Sequence, residues 1–136
     1  MKSKLSCIML VDDNPDDNFF HEREIKKSDS KIVVIKKNNA VAALEYLKAN
    51  KDIAFKLPDL ILLDINMPGM DGWEFLKEYN LLAKELQCKV VIIMLTTSEN
   101  SDDIRNAKSE NYVSSFITKP MTKDIMNDII AKYFKV

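Results

Sequence analysis

Leu60-Ile61-Leu62-Leu63-Asp64-Ile65-Asn66-Met67-Pro68-Gly69-Met70-Asp71-Gly72 is the stretch that orders the rest of the chain. Four apolar residues run without alternation into a carboxylate, and the turn that follows holds Gly69 and Gly72, the 2 glycines of the sequence. A continuous apolar run ended by Pro and Gly reads as a strand buried on both faces, as in a parallel sheet. Cys7 to Val11, Ile32 to Ile35 and Val90 to Leu95 repeat the pattern, and Tyr112 to Thr118 repeats it more weakly.

Helical patterns fill the gaps. The first is predicted from Pro15 to about Lys27, with Asn14 as N-cap and Pro15 at the first helical position, where a missing N–H costs nothing. The second opens near Asn39 and carries Val41, Leu44 and Leu47/Lys48 at helical spacing. The third follows Asp71-Gly72 and aligns Phe75, Leu76, Tyr79 and Leu82/Leu86. A polar fourth covers Glu99 to Glu110, and a fifth runs from Met121 to about Phe134 with Ile125, Ile129 and Ile130 inward. Strand and helix alternating five times predict a (βα)5 α/β domain: an open, doubly wound parallel sheet with right-handed crossovers and helices on both faces.

Length and charge narrow the function. The 136 residues suit one domain, 1–136, with no room for a second or for an output domain. Twenty basic residues against twenty-one acidic ones leave a net charge of -1, which argues against nucleic acid as a partner. The apolar N-terminal run stops at Asp12-Asp13, too short for a membrane span and with no cleavage site, so a cytoplasmic location is expected. Cys7 and Cys88 lack metal or disulfide spacing and read as reduced, packed thiols.

An open parallel sheet binds ligands beyond the carboxyl ends of its strands. Asp12 and Asp13 end the first strand and Asp64 the third, so three carboxylates converge on one rim. Their repulsion calls for a raised pKa or a cation. Mg²⁺ suits such oxygen donors, with a carbonyl and waters completing the shell. Alone, an Asp-Asp pair is usually a solvated turn or helix cap; convergence with Asp64 reverses that preference. A carboxylate at a strand end can attack phosphorus and form an acyl phosphate. Phosphoryl transfer then asks mainly for positioning and charge neutralisation. Thr96-Thr97-Ser98 and Lys119-Pro120 bring a hydroxyl and an ammonium to the same rim.

Four blocks in order, Leu10-Val11-Asp12-Asp13-Asn14, Leu62 through Gly72, Leu95-Thr96-Thr97-Ser98 and Phe116-Ile117-Thr118-Lys119-Pro120, make the chain resemble the receiver domain of two-component response regulators over its whole length. The likeness is to the single-domain, chemotaxis-regulator-like type, which implies a flavodoxin-like sheet of order 2-1-3-4-5. It also implies that Asp64 is the phosphorylation site and that Asp12, Asp13, Asp64 and the Asn66 backbone carbonyl hold Mg²⁺, with Mn²⁺ as a substitute. Lys119 would pair with one phosphoryl oxygen and the Thr96 hydroxyl with another. Thr96 is preferred to Thr97 because the first member of the family's pair is the functional one. Thr96 and Phe116 would form the switch, Phe116 acting through packing because it has no hydroxyl. Asn66 and Ser98 hold positions that tune phosphate lifetime. The Lys119-Pro120 bond is expected to be cis, although only about 5% of X-Pro bonds are.

A phosphatase working through an aspartyl-phosphate would want an acid at position 66, where Asn stands, and a cap domain. A degenerate receiver would have lost Asp64, Lys119 or one of the acidic pair. The expected partners are a sensor histidine kinase or phosphotransfer protein and a downstream protein, with a homodimer on phosphorylation as another output. The segment Lys77 to Lys89 resembles that of receivers working with phytochrome-type kinases. Elsewhere plain readings are expected: His21 solvated beside Glu22 and Glu24, Asp16-Asp17 favouring the helix dipole, Trp73 in helix packing, and the seven methionines as core filler.

Overall fold

β1 (Cys7–Val11), β3 (Leu60–Asp64) and β4 (Val91–Thr96) come from the uninterrupted apolar runs, and every residue in them is buried. The computed structural model describes residues 4–53, 56–82, 90–96 and 113–134. β2 (Val33–Lys37) and β5 (Val113–Thr118) complete a five-stranded sheet of order β2-β1-β3-β4-β5, with all pairs parallel. This is the doubly wound arrangement of the flavodoxin-like fold.

Side chains alternate across a strand, and the alternation builds two cores. Met9, Val11, Ile61, Leu63, Ile92 and Met94 pack on one face with Ala43, Leu44 and Leu47 of α2 (Ala40–Ala49) and Phe75, Leu76 and Tyr79 of α3 (Gly72–Leu82). Ile8, Leu10, Leu60, Leu62, Ile93 and Leu95 pack on the other with Ile25 of α1 (Pro15–Ser28) and with Met126 and Ile129 of the C-terminal helix (Lys123–Tyr133). Full burial of one such side chain is worth about 1.5–3 kcal/mol, so the continuous runs are stable only between two helical layers.

The edges differ from the sequence reading. β2 starts one residue later and ends two residues later than Ile32 to Ile35 and is half-exposed, with Val33 56% accessible, because an edge strand has a neighbour on one side only. In α2 the buried residues are Ala40, Ala43, Leu44 and Leu47, while Val41 faces outward. The C-terminal helix starts at Lys123, capped by Thr122, whose hydroxyl accepts from Ile125 N at 3.4 Å. The expected helix over 99–110, the strand start at Tyr112, and Leu86, Cys88, Thr97 and Ser98 lie outside the described residues. Cys7 is buried and unbridged; burial, helped by the charge of Asp59, lifts its thiol to about 11. Among the described residues no helix is long and apolar enough to cross a membrane.

Candidate functional site

Register places the site. Val11 pairs with Leu63, Asp64 with Leu95 and Thr96 with Thr118. Asp12, Asp64, Thr96 and Lys119 therefore end four strands on one rim. Asp12 N donates to Lys37 O at 3.1 Å, and Lys119 N donates to Thr96 O at 2.7 Å, so backbone bonds carry the sheet into the site.

Asp12, Asp13 and Asp64 each offer a carboxylate oxygen within 4.8 Å of the others, with Asp12 and Asp64 buried and Asp13 exposed. The donor set suits a hard divalent cation. The Lys119 ammonium sits against the trio, 2.7 Å from Asp12 Oδ2 and 3.3 Å from Asp64 Oδ1. Asp12 Oδ1 accepts from Asn14 N at 3.0 Å. Burial, then the charge of Asp12, pushes the Asp64 carboxyl up to about 6 despite Lys119 beside it. For Lys119 burial opposes the charge, but hydrogen bonds to Asp12 and Asp17 outweigh it and hold the ammonium above its ordinary range.

The turn after β3 keeps Asp64 in place. Asp71 Oδ1 accepts from Glu74 N at 2.9 Å, and Glu74 Oε1 accepts from Asp71 N at 3.1 Å, a reciprocal cap that starts α3. Gly72 N donates to Ile65 O at 2.8 Å, and a Cβ at Gly72 would come within 2.9 Å of the Asp64 carbonyl. Gly69 has a φ of 77°, the left-handed region that suits glycine. Asn66 is exposed in this turn, and Trp73 packs half-buried on the α2/α3 core. Thr96 is fully buried at the end of β4. Phe116 pairs with Met94 across β4 and β5 and packs half-buried on the α2/α3 core. The Lys119-Pro120 peptide bond is cis.

Three polar residues of α1 have parts that the sequence reading did not assign. Asn18 is buried, and its Nδ2 donates to the Asp12 carbonyl at 3.0 Å. Asp17, read as a dipole partner alone, also accepts from Lys119 Nζ at 2.8 Å. His21 is not solvated: it is 2% accessible, and its Nε2 accepts from Met121 N at 3.3 Å. The cause is non-local, since the loop after β5 folds over α1. A clue was available in Asp17, His21 and Glu24, spaced as one helical stripe.

An acceptor at Nε2 requires the neutral ring there. Burial first, then Lys119, lowers the His21 pKa below 6.5, while Asp12, Asp17 and Glu24 pull it upward. The unfolded chain therefore binds a proton near pH 6.5 that the folded one refuses, and His21's contribution is lost as pH falls below 6.5. His21→Gln, which keeps an acceptor, is expected to flatten this part of the acid destabilisation. Urea midpoints at about pH 5 and about pH 7 measure it; identical slopes in both proteins would contradict it.

Residues 8–131 match the family model for the response regulator receiver domain. The chain belongs to that family. Response regulator Rcp1 of Synechocystis sp. (strain ATCC 27184 / PCC 6803 / Kazusa) is 32% identical to this receiver over 115 residues, 82% of this chain and 75% of Rcp1. The crystal structure of the Mn²⁺-bound form of response regulator Rcp1 aligns with a TM-score of 0.70 at 27% identity, over 94% of both chains. The crystal structure of a two-component response regulator from Cytophaga hutchinsonii aligns with a TM-score of 0.87 at 25% identity, over 95% of this chain and 96% of that one. The probable methanogenesis regulatory protein FilR2 of Methanothrix harundinacea (strain 6Ac) is 37% identical over 81 residues, 60% of this receiver, and the match spans 50% of FilR2. Receiver domains are signalling proteins of two-component phosphorelay systems.

Proposed function

We propose that this receiver accepts a phosphoryl group on Asp64 from a histidine kinase or phosphotransfer protein, with Mg²⁺ held by Asp12, Asp13, Asp64 and the Asn66 carbonyl. The observation that carries the reading is a buried carboxylate at a strand end, with two more carboxylates within 4.8 Å and a lysine ammonium at 3.3 Å. An Asp64 oxygen attacks phosphorus, the bond from phosphorus to the donor imidazole breaks, and the imidazole nitrogen takes a proton. The cation, when bound, supplies positive charge against the phosphoryl oxygens. Lys119 neutralises another oxygen, and the Thr96 hydroxyl donates to a third.

Signalling follows from packing: Thr96 drawn toward the phosphoryl group leaves space for Phe116, which changes the surface offered to a downstream protein or a second copy. Mn²⁺ would serve as well as Mg²⁺, as the metal-bound form of Rcp1 suggests. A cytoplasmic setting suits a kinase partner.

Acetyl phosphate with Mg²⁺ should add the mass of one phosphoryl group, stable in acid and lost in base. No gain in mass, or a second site labelled equally, would refute the reading. Metal binding separates the two neighbouring acids. Asp12 already spends Oδ2 on Lys119 and Oδ1 on Asn14 N, whereas Asp13 is exposed toward incoming ions. Asp13→Ala is expected to weaken Mg²⁺ binding by about ten-fold, and Asp12→Ala by less. Trp73 fluorescence can report the titration, and equal affinities in both variants and the unaltered chain would make the acidic trio ordinary surface.

A further inference from the structure

α1 meets the loop after β5 through a ladder of three contacts. Asp17, His21 and Glu24 lie four and three residues apart, a spacing that stacks side chains on one helical face. Their partners advance two residues at a time. Asp17 Oδ2 accepts from Lys119 Nζ at 2.8 Å, His21 Nε2 from Met121 N at 3.3 Å, and Glu24 Oε1 from Lys123 N at 3.1 Å. The two lower contacts hold backbone. The uppermost holds the side chain that reaches the site.

A lysine ammonium has three protons, and Asp12, Asp17 and Asp64 lie 2.7, 2.8 and 3.3 Å from Lys119 Nζ. During phosphoryl transfer two of these partners change. Asp64 would become the acyl phosphate, whose oxygen would take over its contact, and Asp12 would help to hold a cation. Asp17 stands outside the trio of possible metal ligands, so its contact can persist through the reaction.

We infer that Asp17 is a positioning residue for Lys119, fixing the ammonium where a phosphoryl oxygen on Asp64 will lie, with His21 and Glu24 locking the loop backbone beneath it. The inference rests on the proposed phosphorylation of Asp64. Without Asp17 the ammonium keeps its charge but loses the one anchor among the described residues that is neither acceptor nor metal ligand. Misplacing such a group costs rate rather than binding.

Asp17→Ala removes the anchor and one charge. Asp16→Ala removes the same charge one position away, at an exposed residue bonded through its backbone N–H to Asn14, and serves as the control. Asp17→Glu keeps a carboxylate on the same helical face as His21 and Glu24. With acetyl phosphate at saturating Mg²⁺, Asp17→Ala is expected to label about ten-fold more slowly than Asp16→Ala, with the same Mg²⁺ affinity, and Asp17→Glu to recover most of the loss. An ¹⁵N spectrum of the lysine side chains reads the anchor without any phosphoryl donor. The exchange-protected ammonium signal of Lys119 should be present in the unaltered chain and in Asp16→Ala, and lost in Asp17→Ala. Equal labelling rates in Asp17→Ala and Asp16→Ala, or a persistent ammonium signal in Asp17→Ala, would overturn the inference while leaving phosphorylation of Asp64 intact. An unaltered chain that takes no label overturns the function, and Asp17's part in it, even if the ammonium signal behaves as expected.

Discussion

Asp64→Asn is expected to take no phosphoryl group, and in metal-free solution at about pH 8 to be more stable than the unaltered chain by about 1–3 kcal/mol. The loss follows from the chemistry, since an amide oxygen cannot form the acyl phosphate. The gain follows from where Asp64 sits. Burial, then Asp12, raises its carboxyl from 3.8 to about 6, while Lys119 pulls in the other direction. Between those values the folded protein holds a proton that the unfolded chain has released. Stability therefore falls as pH rises through that window, and above about pH 6 the whole cost is present. Asn carries no charge to desolvate, so the variant escapes it, and the two proteins should converge below about pH 4. Urea unfolding across pH with intact-mass measurement after acetyl phosphate tests both halves. Label retained by the variant would displace Asp64 as acceptor, and equal stability at every pH would mean that the carboxylate is not strained.

That conflict explains why the candidate site stands out in the sequence. A carboxylate following four buried apolar residues has no packing reason to be there, so Asp64 stood out in the sequence, and Asp12 after Cys7 to Val11 did likewise. Central strands are equally plain, because helices on both faces demand unbroken apolar runs. β2 was misplaced because an edge strand tolerates Lys36 and Lys37 within it, and the apolar run no longer marks its bounds. Val41 shares the helical spacing of Leu44, yet Ala40 and Ala43 fill the buried face of α2 and Val41 is exposed.

His21 and Asp17 show a different limit. Their neighbours in sequence are charged, and the shared stripe of Asp17, His21 and Glu24 hints at a common face without saying that a loop about a hundred residues away covers it. The partners of Asp17, His21 and Glu24 are fixed by the sheet order, which brings the end of β5 over α1. Only when the strands are assembled does the polar stripe acquire its counterpart of one ammonium and two backbone N–H groups. Such contacts cost little to read once the fold is known, but composition and periodicity do not disclose them.

Lys119→Ala is expected to move two properties of the site in opposite directions. Among the described residues the ammonium is a positive charge set against the acidic trio, 2.7 Å from Asp12 and 3.3 Å from Asp64. Removing it leaves two buried carboxylates facing each other, and taking one partner from a buried ion pair costs about 3–5 kcal/mol. A divalent cation can replace much of that charge, so Mg²⁺ should bind the variant about ten-fold more tightly and restore part of its stability. Phosphorylation should nevertheless slow by about 100-fold, since the charge proposed to neutralise a phosphoryl oxygen would be gone. A lysine acting only as a structural tie would give a different result: Mg²⁺ would rescue stability and rate together. Thermal unfolding with and without Mg²⁺, a Mg²⁺ titration, and the labelling rate at saturating metal separate the two cases. If the variant bound Mg²⁺ more weakly, or labelled at the unaltered rate once saturated, Lys119 would have no part in neutralising the transferred group.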